Sequence, residues 1–207
     1  EFNKKLNIKN FSKSELKVFL EKTNKDTYFK IFSDNLQESK IKPKNFDVLQ
    51  SGFNLELDNE NYSLLFGTDI YEDLKKSHSD RYQYVLPYYK FSSIPKFFNI
   101  GTYNFKSSGN NILDNTNNLK TRIINDISFK LNDNILENLG IKNNLNFYFK
   151  NLNSIGKNVS NYKSSPQIEL QSLVEFKSEL PLVKKNDTFK ETLIPRMSLR
   201  TNPSDMK

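Results

Sequence analysis

The chain has 207 residues, 36% of them hydrophobic, a formal net charge of +7 and no cysteine, which suits one large domain or part of a larger one. Without cysteine neither a disulfide framework nor a thiolate metal site can form. No apolar run approaches the roughly 20 residues that a membrane helix needs, which excludes a helical membrane protein. The 31 basic residues are scattered among 24 acidic ones and cluster only in pairs such as Lys75-Lys76 and Lys184-Lys185, so no nucleic-acid partner is expected.

Alanine and tryptophan are absent, while 17 Phe and 10 Tyr favour strands, so the fold is expected to be all-β. Alternation of apolar and polar residues, the mark of a strand with two unlike faces, recurs along the chain. It places strands near 2–9, 14–23, 27–33, 46–58, 61–71, 80–91, 96–106, 118–131, 142–152, 166–180 and 187–200, ten or eleven in all. Within 53–58, Phe53, Leu55 and Leu57 alternate with Asn54, Glu56 and Asp58. Around the turn at 92–95 aromatics gather as Tyr84, Tyr88, Tyr89, Phe91, Phe97 and Phe98, the pattern of an interfacial girdle. The stretch 132–140 is expected to hold one short helix, because Asn134 and Glu137 match a capping box and Gly140 can end a helical turn. In the longest alternating segment Ile168, Leu170, Val174, Phe176, Leu180 and Leu182 share one face, against Glu169, Gln171, Glu175, Lys177 and Glu179 on the other.

Several of these strands reach the roughly 9–11 residues that a tilted membrane strand needs, whereas strands of soluble domains average about five or six. Polar linkers at 34–45, 72–79, 106–117 and 153–165 alternate with tighter connections at 24–26, 59–60, 92–95 and 181–186. Outer-membrane barrels show this alternation of long loops and short turns. The chain is therefore expected to form an antiparallel meander that is part of a large outer-membrane β-barrel. It opens at Glu1-Phe2-Asn3-Lys4 without Met and stops at Asp205-Met206-Lys207 after a strand-like segment, so 1–207 is expected to be a fragment of that barrel domain. Arg122, Asp126, Lys130, Glu169, Glu175, Lys177, Arg196 and Arg200 then face the lumen, and the apolar positions of 168–176 face lipid.

Convergent chemistry is not in evidence, and no catalytic, cofactor or metal site is expected. The one histidine, His78, stands in a polar loop. Glycines such as Gly52, Gly67 and Gly101 are scattered in or beside strands, where bulges or close backbone approach explain them better than a phosphate loop.

Four segments carry a family resemblance. They are Asp26-Thr27-Tyr28-Phe29-Lys30; Asp69-Ile70-Tyr71-Glu72-Asp73-Leu74 continuing into Ser79-Asp80-Arg81-Tyr82-Gln83-Tyr84-Val85-Leu86-Pro87; Glu179-Leu180-Pro181-Leu182; and Leu193-Ile194-Pro195-Arg196-Met197-Ser198-Leu199-Arg200-Thr201-Asn202-Pro203-Ser204-Asp205-Met206. In order and spacing they resemble the barrel region of the lipopolysaccharide-assembly (LptD/OstA, organic solvent tolerance) family. The resemblance implies a barrel of about 26 strands in the Gram-negative outer membrane. It also implies lipopolysaccharide as cargo, an LptE-like plug lipoprotein, periplasmic bridge components and outer-membrane lipids as partners, and transport without bond chemistry. Two other readings remain: a porin or siderophore receptor, and a soluble β-sandwich binding module.

Overall fold

A computed structural model describes residues 1–37, 45–186 and 188–203, without the side chains of Gln37, His78 and Ser79. The protein is all-β, 65% strand and 5% helix, and is built on one large antiparallel sheet. Among the described residues fourteen strands run in chain order: β1 (Phe2–Lys5), β2 (Lys13–Phe19), β3 (Val48–Asp58), β4 (Tyr62–Asp73), β5 (Tyr82–Ser93), β6 (Lys96–Phe98), β7 (Gly101–Asp114), β8 (Asn118–Leu131), β9 (Asn134–Leu136), β10 (Ile141–Lys157), β11 (Gln167–Glu179), β12 (Leu182–Lys185), β13 (Lys190–Leu193) and β14 (Arg196–Thr201). Among the described residues, twelve strands form one sheet in the order β1-β2-β3-β4-β5-β7-β8-β10-β11-β14, with β6 beside β7 and β9 beside β10. Along this path each strand pairs with one that follows it in the chain; most are joined by connections too short for the crossover a parallel pair requires, whereas β2 and β3 pair antiparallel across the longer stretch 20–47. β1 and β14 end the path.

Chain contacts divide the molecule into two compact units. The first comprises Glu1–Ser92, Ser107–Ile124 and Leu152–Ile168. In it β2 and β3 pair Leu16 with Leu55 and Val18 with Phe53, while β3 and β4 pair Leu55 with Phe66 and Leu57 with Leu64, so these apolar residues share one face. Asn54, Glu56, Asp69 and Tyr71 fall on the other. Tyrosine rings cover the flat backbone at strand glycines. A Cβ at Gly67 would lie 2.6 Å from the Tyr88 hydroxyl, and one at Gly109 would lie 2.5 Å from the Tyr89 ring, so each ring fills the place of the missing side chain. The close approaches expected at Gly52 and Gly101 are also present: a Cβ at either would clash with a neighbouring carbonyl, Thr68 or Lys130, the latter pair in the second unit.

The second unit comprises Ser93–Lys106, Asn125–Asn151 and Glu169–Lys207. β11 and β14 pair Glu175 with Arg200 and Glu179 with Arg196 on one face, and Phe176 with Leu199 and Ser178 with Met197 on the other. The hairpin β12–β13 stands apart as a two-stranded sheet.

Five expectations are corrected. Residues 27–33 do not form a strand but belong to two short helices, α1 (Tyr28–Ile31) and α2 (Ser33–Gln37). Tyr28 meets Phe32 one turn on, with ring centroids 5.0 Å apart, and Phe29 stacks on Phe46, so this aromatic spacing serves a helix. The helix expected at 132–140 is instead the hairpin β9–β10, with Asn134 opposite Asn143, and Gly140 (φ 64°) turns the hairpin rather than ending a helix. The linker at 106–117 is mostly strand: β7 runs to Asp114 and turns at Asn115 and Thr116, both with positive φ. Its polar run reads as a loop because neither side is oily, yet Asn111 donates to the Leu86 carbonyl at 2.9 Å and accepts from Thr121 at 2.7 Å. The 187–200 strand is two, β13 and β14, and Leu182 leaves the Ile168 face for β12, because 180–195 holds its own hairpin where a tight turn was expected. Part of the 34–45 linker, the His78 side chain and the 204–206 end of the last resembling segment lie outside the described residues.

Candidate functional site: a polar sheet face and an arginine clamp

The register of β11 against β14 decides the polar face of the second unit. Glu175 is only 3% exposed, and it is covered by donors rather than sunk in a core. Arg200 donates its Nε to one carboxylate oxygen at 2.7 Å, Lys177 approaches the other at 3.1 Å, and the Asn146 amide nitrogen reaches it at 3.4 Å. Around this centre lie further ion pairs: Lys150 with Asp126 at 3.3 Å, Lys142 with Asp133 at 2.8 Å, and Arg196 with Glu179 at 3.2 Å. Lys130 has no carboxylate within 4 Å among the described residues and borders a hollow of about 530 Å³ shared with Lys106, Ser128, Tyr148 and Gln171. Glu169 is exposed, in the same register as Glu175. Seven of the eight residues expected to face a lumen belong to this unit, and the β11–β14 register puts Glu175, Lys177, Arg196 and Arg200 on one side.

The eighth, Arg122, belongs to the first unit, where it lines a hollow of about 370 Å³ with Asp69, Tyr71, Tyr88, Lys90 and Ser108. Asp69 is buried and accepts from Gln50 at 3.0 Å. No group of three or more His, Cys, Asp or Glu capable of holding a metal ion occurs among the described residues.

Sequence reasoning missed Asn146, Tyr148, Lys142 and Lys150. The signal was present: the even positions from Lys142 to Lys150 are polar or Tyr, while Ile141, Leu145, Phe147 and Phe149 alternate with them.

It also missed a clamp in the first unit that no periodicity announces. Arg81 donates two bonds to the Asp26 carboxylate, at 2.9 and 2.7 Å, and a third to Glu72 at 2.7 Å, which also receives the Tyr82 hydroxyl at 3.2 Å. Nearby, Asp47 holds Lys75 at 2.7 Å and Lys30 at 2.9 Å. The Arg81 guanidinium keeps Asp26 below its ordinary carboxylate range, and the Lys75 and Lys30 ammonium groups do the same for Asp47. These bonds tie the α1–α2 connection to the 74–81 connection, where the Leu74 amide also donates to the Asp47 carbonyl; Leu49 and Leu74 are the two buried hydrophobic side chains among the described residues. Asp26, Glu72 and Arg81 all stand in the resembling segments, and the fold brings them together across 55 residues.

No protein-family model and no curated protein matches this chain.

Proposed function

We propose that this sheet is part of an outer-membrane β-barrel of the lipopolysaccharide-assembly (LptD/OstA) type, with its ion-paired face toward an aqueous lumen and its apolar face toward lipid. The observation that carries the membrane reading is the distribution of exposure in the second unit. Leu170, Met197 and Leu199 are 52%, 62% and 68% exposed, while the charged Glu175 on the opposite face is covered. A soluble sheet hides its oily face against a second layer. A sheet in lipid does the reverse, and it must also close so that no strand edge is left unpaired. Closure would have to satisfy the two edge strands, β1 and β14.

The cargo is supported by the four resembling segments and by cations without carboxylate partners among the described residues, Lys106, Lys130 and Arg122, on polar hollows that suit an anionic glycolipid. The face solvates and guides; no bond is made or broken. An LptE-like lipoprotein would plug the lumen, and periplasmic bridge components would deliver the lipid. A porin or a siderophore receptor is the second reading, since exposure alone fits any such barrel.

Depletion of the protein is expected to remove newly made lipopolysaccharide from the cell surface, and unchanged surface lipopolysaccharide would overturn the assembly function. Within the same assay, Val174→Arg on the apolar face is expected to impair assembly far more than Asp126→Ala. An arginine near the bilayer midplane costs roughly 2–4 kcal/mol, whereas charges in a wide lumen are screened over about 8 Å.

A further inference from the structure

In the first unit α1 and α2 follow one another as a nearly continuous helical run, the Phe32 amide donating to the Tyr28 carbonyl at 3.1 Å and the Leu36 amide to the Phe32 carbonyl at 3.0 Å. Positions three and four apart then share a side. Tyr28, Ile31, Phe32 and Leu36 form one stripe, with Asn35 its polar member, while Phe29, Lys30, Ser33 and Asp34 fall on the other side. The helix docks by that other side: Phe29 stacks on Phe46, and the Lys30 ammonium meets Asp47 at 2.9 Å. The oily stripe is turned outward, with Tyr28, Ile31 and Phe32 44%, 68% and 44% exposed. A surface helix in water does the opposite. The Arg81–Asp26 and Lys30–Asp47 pairs hold this one in its reversed setting.

Two observations say what covers the stripe. The first is continuity with the apolar face of the sheet, where Leu16 and Val18 lie beside Leu55 and Phe53. Beyond β2 the chain keeps that course, because the Glu21 amide donates to the Ser51 hydroxyl at 3.0 Å and the Gln50 amide donates to the Glu21 carboxylate at 2.8 Å. Leu20 therefore falls on the same face as Val18, and it is 75% exposed. The second is charge. Lys22 and Lys25, between Leu20 and the helix, are exposed and meet no carboxylate among the described residues. We infer that the 28–36 helix is an interfacial anchor lying in the headgroup layer of a bilayer. Its Ile31 and Phe32 enter the acyl boundary to a depth of about 5–10 Å, while the Tyr28 hydroxyl and the two lysines reach anionic heads. An oily groove on a partner protein would match the stripe, but it would not account for the approach along the sheet's apolar face. The inference rests on the proposed reading only for the bilayer around the sheet and is independent of the cargo.

The chain has no tryptophan, so a single introduced one reports its own surroundings. Ile31→Trp lies on the stripe, Asp34→Trp on the other side of the helix and Val18→Trp on the apolar face of the sheet, all at exposed positions that spare the fold. Each variant of the whole chain is refolded into phosphatidylcholine–phosphatidylglycerol vesicles whose acyl chains carry bromine near the head end or near the tail end. Ile31→Trp is expected to emit to the blue of Asp34→Trp and to be quenched at least about twofold more, chiefly by head-end bromine. Adding Lys22→Gln and Lys25→Gln should weaken that quenching where phosphatidylglycerol is present, and unchanged quenching would overturn the headgroup contact of the lysines. Blue-shifted but unquenched emission at 31 would put a protein, or a second copy of the chain, on the stripe; emission typical of water would leave it in solvent. Either result overturns the anchor, and so does equal quenching at 31 and 34. Quenching at 18 in those cases would leave the membrane reading standing. Quenching at 31 without quenching at 18 would keep the anchor and sink the membrane reading of the sheet.

Discussion

Glu175 and Glu169 are alike in a sequence pattern, and only their surroundings separate them. Glu169 stands in solvent, whereas Glu175 accepts from Arg200, Lys177 and Asn146 at once. Removing its carboxylate leaves the buried Asn146 amide with neither end satisfied. Glu175→Ala is therefore expected to lower stability by about 1–3 kcal/mol, most of it from the unsatisfied amide, because Arg200 and Lys177 can turn to water. Glu175→Gln, which keeps an acceptor, should recover part of the loss, and Glu169→Ala should cost nothing measurable. Denaturant midpoints of the three variants in one detergent check the order, and equal effects at 169 and 175 would contradict the network.

At the scale of elements, the described part of the helical connection, 20–37, has little apolar burial of its own and depends on its ion pairs. Arg81→Met cuts three bonds, to Asp26 and Glu72, and is expected to free the connection without unpairing β3 and β4. Trypsin cleavage at Lys22, Lys25 or Lys30 should then accelerate while the strand signal in circular dichroism stays constant. The same anchorage carries a pH dependence of known sign. Asp26 and Asp47 have folded values below the ordinary 3.8, so the stability they contribute is whole above that value. It is lost as pH falls below 3.8 through the folded values, when the carboxylates take up protons. Tryptic cleavage being restricted at acid pH, the check is pepsin: cutting within 20–37 should rise as pH drops from 4 to 2 faster than it does in Arg81→Met, where the Asp26 contact is already gone. The β12–β13 hairpin is a different kind of element. Two strands alone are marginal in water, so shortening it should leave the β11–β14 pairing in place.

For the molecule as a whole, the decisive quantity is how little apolar surface is hidden. Among the described residues the buried hydrophobic side chains are Leu49 and Leu74, while large ones from Phe2 to Leu199 stand open. Contiguous exposed apolar surface of this kind drives association in water. The chain is expected to aggregate in buffer and to be monodisperse in detergent or lipid, by light scattering and sedimentation. A monodisperse, cooperatively unfolding monomer in plain buffer would refute the membrane reading.

The all-β class, the sequential antiparallel order and the two unlike faces were legible because a strand projects its side chains with a period of two, and that period is written along the chain. Residues such as Lys177 and Arg200 could be put on the polar face by counting. Where polar residues run on without alternation, as at 106–114, or where aromatics fit helix and strand alike, as at 28–32, local pattern was ambiguous and long-range partners chose. The covering of Glu175, the burial of Asn146 beside it and the Arg81 clamp were decided by tertiary structure alone. Each depends on which residue lies across a strand pair or at a loop's far end, and sequence spacing carries no record of that.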